Sequence, residues 1–141
     1  MKKVLLFGII LFFSLFAAWF IFDRGVGGSL VASIPNMIEV QSPRINTEVF
    51  SPLIVSGRAR GTWFFEGSFP LVLVDWDGLI IAEGFATAQS EWMTEEFVPF
   101  AGTLEFIKPV YGKNGWLILQ KDNPSGLSEN DAALEIPVIF K

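Results

Sequence analysis

From Asn36 onward, short apolar runs alternate with turn residues at fairly even spacing, a pattern that predicts strands and not helices. Met37 to Val40 alternates and reads as a first strand. Leu53 to Arg60 is the second, introduced by Ser51-Pro52. Phe69 to Trp76 is the third, with Pro70 near its start, where a missing ladder donor is tolerated. Asp77-Gly78 supplies the positive φ values of a tight hairpin turn, and Leu79 to Ala86 returns as the fourth strand. Glu96 to Phe106 contains a fifth, interrupted around Pro99 and Gly102 by a bulge or a crossing between sheets. Trp116 to Lys121 and Leu134 to Phe140 complete the set. The expected fold of residues 36–141 is all-β, an immunoglobulin-like antiparallel sandwich of about seven strands. A small barrel is the alternative.

The segment before this domain has a different pattern. After the stub Met1-Lys2-Lys3, nineteen residues from Val4 to Phe22 carry no charge. As a helix they would cover roughly 28 Å, the thickness of a bilayer's hydrocarbon core. Trp19 lies near the far end, where an indole reaches headgroup level, and Asp23-Arg24 stop the run. Lysines ahead of the run favour a cytoplasmic N-terminus. The expectation is a single-pass membrane anchor with the C-terminal domain extracytoplasmic. A cleaved signal peptide is the rival reading. Its apolar region is shorter and ends in a small-x-small site, whereas Ala17-Ala18 has Phe16 before it and further apolar residues after it. Residues 23–35, rich in Gly and Ser, read as a flexible linker.

Composition narrows the chemistry. The chain has no cysteine, so the sheets are held together without a disulfide, and thiolate metal sites and Cys nucleophiles are excluded. It has no histidine either, which removes the commonest general base and the central member of a Ser-His-Asp triad. Setting aside Lys2 and Lys3 leaves 8 basic against 15 acidic residues, a net charge of −7. That balance repels phosphate backbones and argues against nucleic acid as a partner.

The remaining carboxylates sit in turn-like contexts. Asp75 and Asp77 flank Trp76 at a hairpin tip, where two carboxylates on one face offer acid/base work or a hard-cation site. The simpler reading is that Asp77 shapes the turn and Asp75 is a solvated strand end. Glu95 and Glu96 point to opposite faces of an extended chain and read as a solvated loop leading to a buried Phe97. The loop Asp122–Asp131 is rich in oxygen ligands but departs from the EF-hand pattern, with Pro124 at the third position and Gly126 at the fifth. Turn chemistry accounts for this loop without a metal, with calcium as the alternative, and no cofactor is expected.

Aromatic residues are the candidates for contact. Alternation sets Phe64 opposite Trp63 and Phe65, Trp76 sits at a turn, and Trp92 in a loop-like stretch. Trp63, Trp76 and Trp92 are the candidate ligand or partner residues, since exposed indoles bind sugars and act as interface hot spots, and the simpler reading is that most of them pack in the core or cap an end of the sandwich. Trp116, in an apolar strand, is expected in the core. Arg58 and Arg60 are expected on a solvated face, with stacking on a ring as the alternative.

Several motifs in order resemble the Gmad2 family, the immunoglobulin-like domain of bacterial spore germination. They are Ser51-Pro52-Leu53, Gly57-Arg58-Ala59-Arg60-Gly61, Trp63-Phe64-Phe65-Glu66 leading to Ser68-Phe69-Pro70, and the Asp77-Gly78 turn. Trp92-Met93-Thr94-Glu95-Glu96-Phe97-Val98-Pro99-Phe100, Asp122-Asn123-Pro124-Ser125-Gly126 and Ile136-Pro137-Val138 follow. The resemblance runs from Ile38 to Phe140. It implies an extracytoplasmic β-sandwich, often joined to other cell-envelope modules, with no catalytic residues to carry over. The expected function is a membrane-anchored, non-catalytic binding or scaffolding module of the bacterial cell envelope, engaging an envelope protein. Binding of carbohydrate or peptidoglycan in the cell wall through exposed Trp is the alternative.

Overall fold

Inward-facing apolar residues at every second position hold the domain together. A computed structural model of the protein describes residues 30–141. The strands are β1 Ala32–Ile34, β2 Ile38–Ser42, β3 Thr47–Val49, β4 Leu53–Arg60 and β5 Ser68–Asp75. They continue with β6 Ile80–Ala88, β7 Phe97–Leu104, β8 Asn114–Gln120 and β9 Ala133–Phe140. Single 3-10 turns cover Gly61–Trp63 and Ser128–Asn130. On β5, Phe69, Leu71 and Leu73 face inward, and on β8 Leu117 and Leu119 do the same. Each such buried side chain contributes about 1.5–3 kcal/mol through the apolar area it removes from water.

The sheet order is β1-β2-β4-β7-β6-β5-β8-β9-β3, with every pairing antiparallel except β3 against β9. The expected pair of stacked sheets is therefore one curled sheet. Its corner is β6, which pairs with β5 from Ile80 to Thr87 and with β7 through Ala86, Thr87 and Ala88. At this corner the backbones come close: a methyl on Gly102 would lie 2.7 Å from the Phe85 carbonyl oxygen and 2.8 Å from Leu71 Cδ1. Glycine is needed there for β7 to meet β6. The curl brings the β5 half over the β7 half, so Phe69 meets Phe100 edge to face at 4.9 Å. Phe64 and Trp63 pack on the same Phe69 ring at 5.3 and 6.3 Å.

Other expectations change in detail. The spacer ends sooner than residue 35, because Ala32–Ile34 forms β1 and Ala32 is buried. β3 is a further strand, three residues long, added in parallel to β9. β7 runs through Pro99 and Gly102 without a break. Pro99 is accommodated where the β6 ladder ends, its carbonyl accepting from the Gln89 N–H at 2.8 Å. The β5–β6 hairpin has a three-residue loop in which Gly78 alone has positive φ. Asp77 keeps negative φ, so the turn is a type I turn closed by a glycine bulge and not the two-residue form.

Register fixes two ends. At one, called proximal, lie the start of β4, the β5–β6 hairpin, the β7–β8 loop and the end of β9, and β1 runs away from it. Backbone bonds tie this end: Leu30 O accepts from Ile45 N, and Lys113 O accepts from Phe140 N. Phe106 packs on Phe140 with ring centroids 5.5 Å apart. The distal end holds Gly61–Gly67, the segment 89–96 and the loop 121–132, tied by Glu96 O accepting from Gly61 N and Trp63 O from Asp122 N. Among the described residues no helix is long and apolar enough to cross a membrane. The expected anchor at 4–22 and the stub at 1–3 lie outside the described residues.

Candidate functional site

The three expected tryptophans do not form one surface. Trp63 is 1% exposed and belongs to the core at the distal end. Its chain forms a 3-10 turn, not a strand, so strict alternation fails and Trp63 and Phe64 are both buried while Phe65 is exposed. As a contact residue Trp63 is excluded by burial. Trp92 is half-buried at the same end, its indole set against Gly67. Trp76 is 56% exposed and lies at the opposite, proximal end.

Trp116 departs from expectation in the other direction. Leu117, Leu119 and Gly115 take the inward positions of β8, so Trp116 faces outward and is 39% exposed. The ladders align Ile80 of β6, Val74 of β5, Trp116 of β8 and Pro137 of β9 in one row across the outer face. Trp76 lies in the turn after β5, where strand alternation ends, and with Trp116 it is one of two exposed tryptophans among the described residues. The signal was present in the sequence: Gln120, polar and two steps from Ile118, marks the outward parity of β8.

The carboxylates behave as turn residues, with their roles exchanged. Asp75 Oδ1 accepts from the backbone N–H groups of Asp77 and Leu79, each at 2.9 Å, so it is Asp75 that shapes the hairpin. Thr94 Oγ1 accepts from Glu96 N, and Glu91 Oε1 from Met93 N, pinning the loop that contains exposed Glu95 and Glu96. In the distal loop Asn123 donates to Leu127 O and Asp131 Oδ1, while Ser125 Oγ donates to Asn123 and accepts from Leu127 N and Asn130. Its oxygens serve the loop itself. Among the described residues no group of three or more acidic side chains could hold a metal.

On the outer face of β4 and β7 the arginines do stack. Arg58 and Arg60 lie over Phe97 with guanidinium carbons 4.6 and 4.0 Å from the ring centroid, which leaves Phe97 half-buried on the outer face. Arg58 Nε also donates to Glu39 Oε2 at 2.9 Å. That hydrogen bond, aided by the charge of Arg58, holds the Glu39 carboxyl below its ordinary range.

The proximal end collects the most exposed apolar side chains. Ile107 and Val110 are each 89% exposed and Tyr111 is 80% exposed, all in the β7–β8 loop. Trp76 and Leu79 stand beside them on the hairpin, the Trp76 ring in contact with Gly112. Across the end, Ser51 Oγ accepts from Phe106 N at 2.9 Å, bringing exposed Phe50 and Ile54 to the same rim. An open groove of about 420 Å³ runs along that rim between residues 41–44 and 47–54.

Neither the curated proteins nor the solved structures contain a match to this chain. Residues 37–128 match the Gmad2 family, described as the immunoglobulin-like domain of bacterial spore germination. With strands β2 to β8 and the first part of the distal loop inside the match, the chain belongs to the Gmad2 family.

Proposed function

We propose that the protein is a membrane-anchored, extracytoplasmic binding or scaffolding module of the bacterial cell envelope that performs no catalysis. The family's description supports a binding module of the spore-germination kind. The observation that carries the reading is the outward row in which Ile80 and Trp116 are exposed beside buried Val74 and half-buried Pro137, apolar surface on a domain whose core cluster does not include it. Apolar surface of this sort on an outer sheet face marks contact with another protein. Crosslinking of intact envelopes followed by recovery of the tagged chain tests it. Combined Ile80→Ser and Trp116→Ala should abolish recovery of a partner that Met93→Ala retains, and equal recovery from both variants would overturn the assignment.

A second reading has its own support. Trp76 and Trp116 are both exposed, which suits stacking on sugar rings of the cell wall. Intrinsic fluorescence should then change on adding peptidoglycan fragments and lose that change in Trp76→Phe. An unchanged spectrum removes carbohydrate from consideration. For the anchor, mass spectrometry of the membrane-extracted chain should show residues 1–22 retained. A mature N-terminus beyond Ala18 would remove it.

A further inference from the structure

The proximal end is both the most apolar part of the surface and the place where the chain arrives from its N-terminal segment. Leu30, exposed and with Ile45 N donating to its carbonyl, precedes β1, whose direction brings the chain in from this side. Residues 23–30 span at most about 28 Å, so this end stays close to whatever residues 4–22 occupy. The same end carries the exposed side chains of Trp76, Leu79, Ile107, Val110 and Tyr111. Four of the seven basic residues among the described residues, Arg44, Lys108, Lys113 and Lys141, share this end.

The charges are unevenly placed. At the proximal end Glu48 is bonded to Lys141 at 3.0 Å and Asp75 is engaged by its own turn, leaving Asp77 and Glu105 as the other acids. The distal end carries Glu66, Glu91, Glu95, Glu96, Asp122, Glu129 and Asp131 against Arg60 and Lys121. An anionic surface therefore repels the distal end and tolerates the proximal one. Trp and Tyr flanked by Lys is the side-chain set that sits at headgroup level, the rings amphipathic and the ammonium groups reaching water.

We propose that the proximal end seats on the outer surface of the lipid bilayer, with Trp76, Leu79, Ile107, Val110 and Tyr111 in the headgroup region. This rests on the anchor reading of residues 4–22. Tethering makes the contact intramolecular, so a surface too small to bind lipid by itself is held there at high effective concentration.

The absence of cysteine makes every introduced cysteine a unique reporter. The full chain is reconstituted in phosphatidylcholine vesicles with and without phosphatidylglycerol. A nitroxide is attached in turn to Phe13→Cys, Tyr111→Cys, Val110→Cys and Met93→Cys, and its collisions with oxygen and with a water-soluble nickel chelate are compared. Labels at 110 and 111 should shift toward oxygen and away from nickel, with the label at 13 lipid-buried and the label at 93 fully nickel-accessible. If 110 and 111 are as nickel-accessible as 93 while 13 is buried, the docking is wrong and the anchor stands. If 13 is itself nickel-accessible, the anchor fails, and the docking with it. Shielding of 110 and 111 accompanied by dipolar broadening between labels would mean that a second copy covers this end, which also overturns the proposal.

Discussion

Arg60 lies over Phe97, its guanidinium carbon 4.0 Å from the ring centroid, because the β4–β7 register sets the two residues directly opposite on the outer face. With Arg58 over the same ring, an aromatic side chain on the outer face is shielded by two cations, Arg58 paired with Glu39 and Arg60 donating to the Asn36 and Glu95 carbonyls. Phe97→Leu keeps most of the apolar bulk and removes the π face. It should lower unfolding stability by about 0.5–1 kcal/mol, read from the urea midpoint. An unchanged midpoint would show that the stacking contributes nothing.

The Glu39–Arg58 pair predicts a pH dependence. Arg58 holds the folded-state pKa of Glu39 below its ordinary 4.5, so the folded protein binds this proton less readily than the unfolded chain. The contribution to stability is therefore present above pH 4.5 and lost as the pH falls through the lowered value. Glu39→Gln should unfold at a lower temperature than the parent at neutral pH, with the gap closing in acid and shrinking in high salt because the pair is exposed. A gap independent of pH would rule out the ionic origin.

Asp75 and Asp77 should separate cleanly. Asp75→Ala removes the acceptor of two backbone N–H groups and should cost about 1–2 kcal/mol in thermal unfolding. Asp77→Ala, which removes no bond to the hairpin backbone, should change stability by under about 0.5 kcal/mol. Comparable losses from both would mean that the turn is held some other way.

These cases show which parts of the fold were readable in advance. β4, β5, β8 and β9 announce themselves because their inward residues alternate over seven or eight positions. β1 and β3 have three residues each and gain their identity from backbone pairing with distant segments, which no local pattern carries. The same applies to the curl at β6, where pairing on both sides depends on Gly102 being small. For the candidate site, Trp63 misled because Gly61 begins a 3-10 turn that cancels alternation. Trp116 misled because apolar neighbours in sequence concealed its outward parity. That Trp76 stands at the opposite end from Trp63 and Trp92 follows from register alone.

Trp63 offers a test of packing against polarity. Its Nε1 is buried with no acceptor among the described residues, a condition that costs about 1–3 kcal/mol. Trp63→Phe gives up part of the ring's buried area and also removes that donor, so its unfolding free energy should stay within about 1 kcal/mol of the parent. Trp63→Ala has no such compensation and should lose about 3–5 kcal/mol. Equal losses from the two variants would contradict this account.

The position of Leu30 also decides how the domain bears load. β1 runs away from Leu30 toward the distal end and lies antiparallel to β2 through the pairs Ala32 with Val40, Ser33 with Glu39 and Ile34 with Ile38. Tension on the preceding chain, directed out of the proximal end, acts along the axis of β1. The rungs between β1 and β2 are then sheared together and not peeled one after another. A partner pulling on the outer face strains the join at its mechanically stronger orientation.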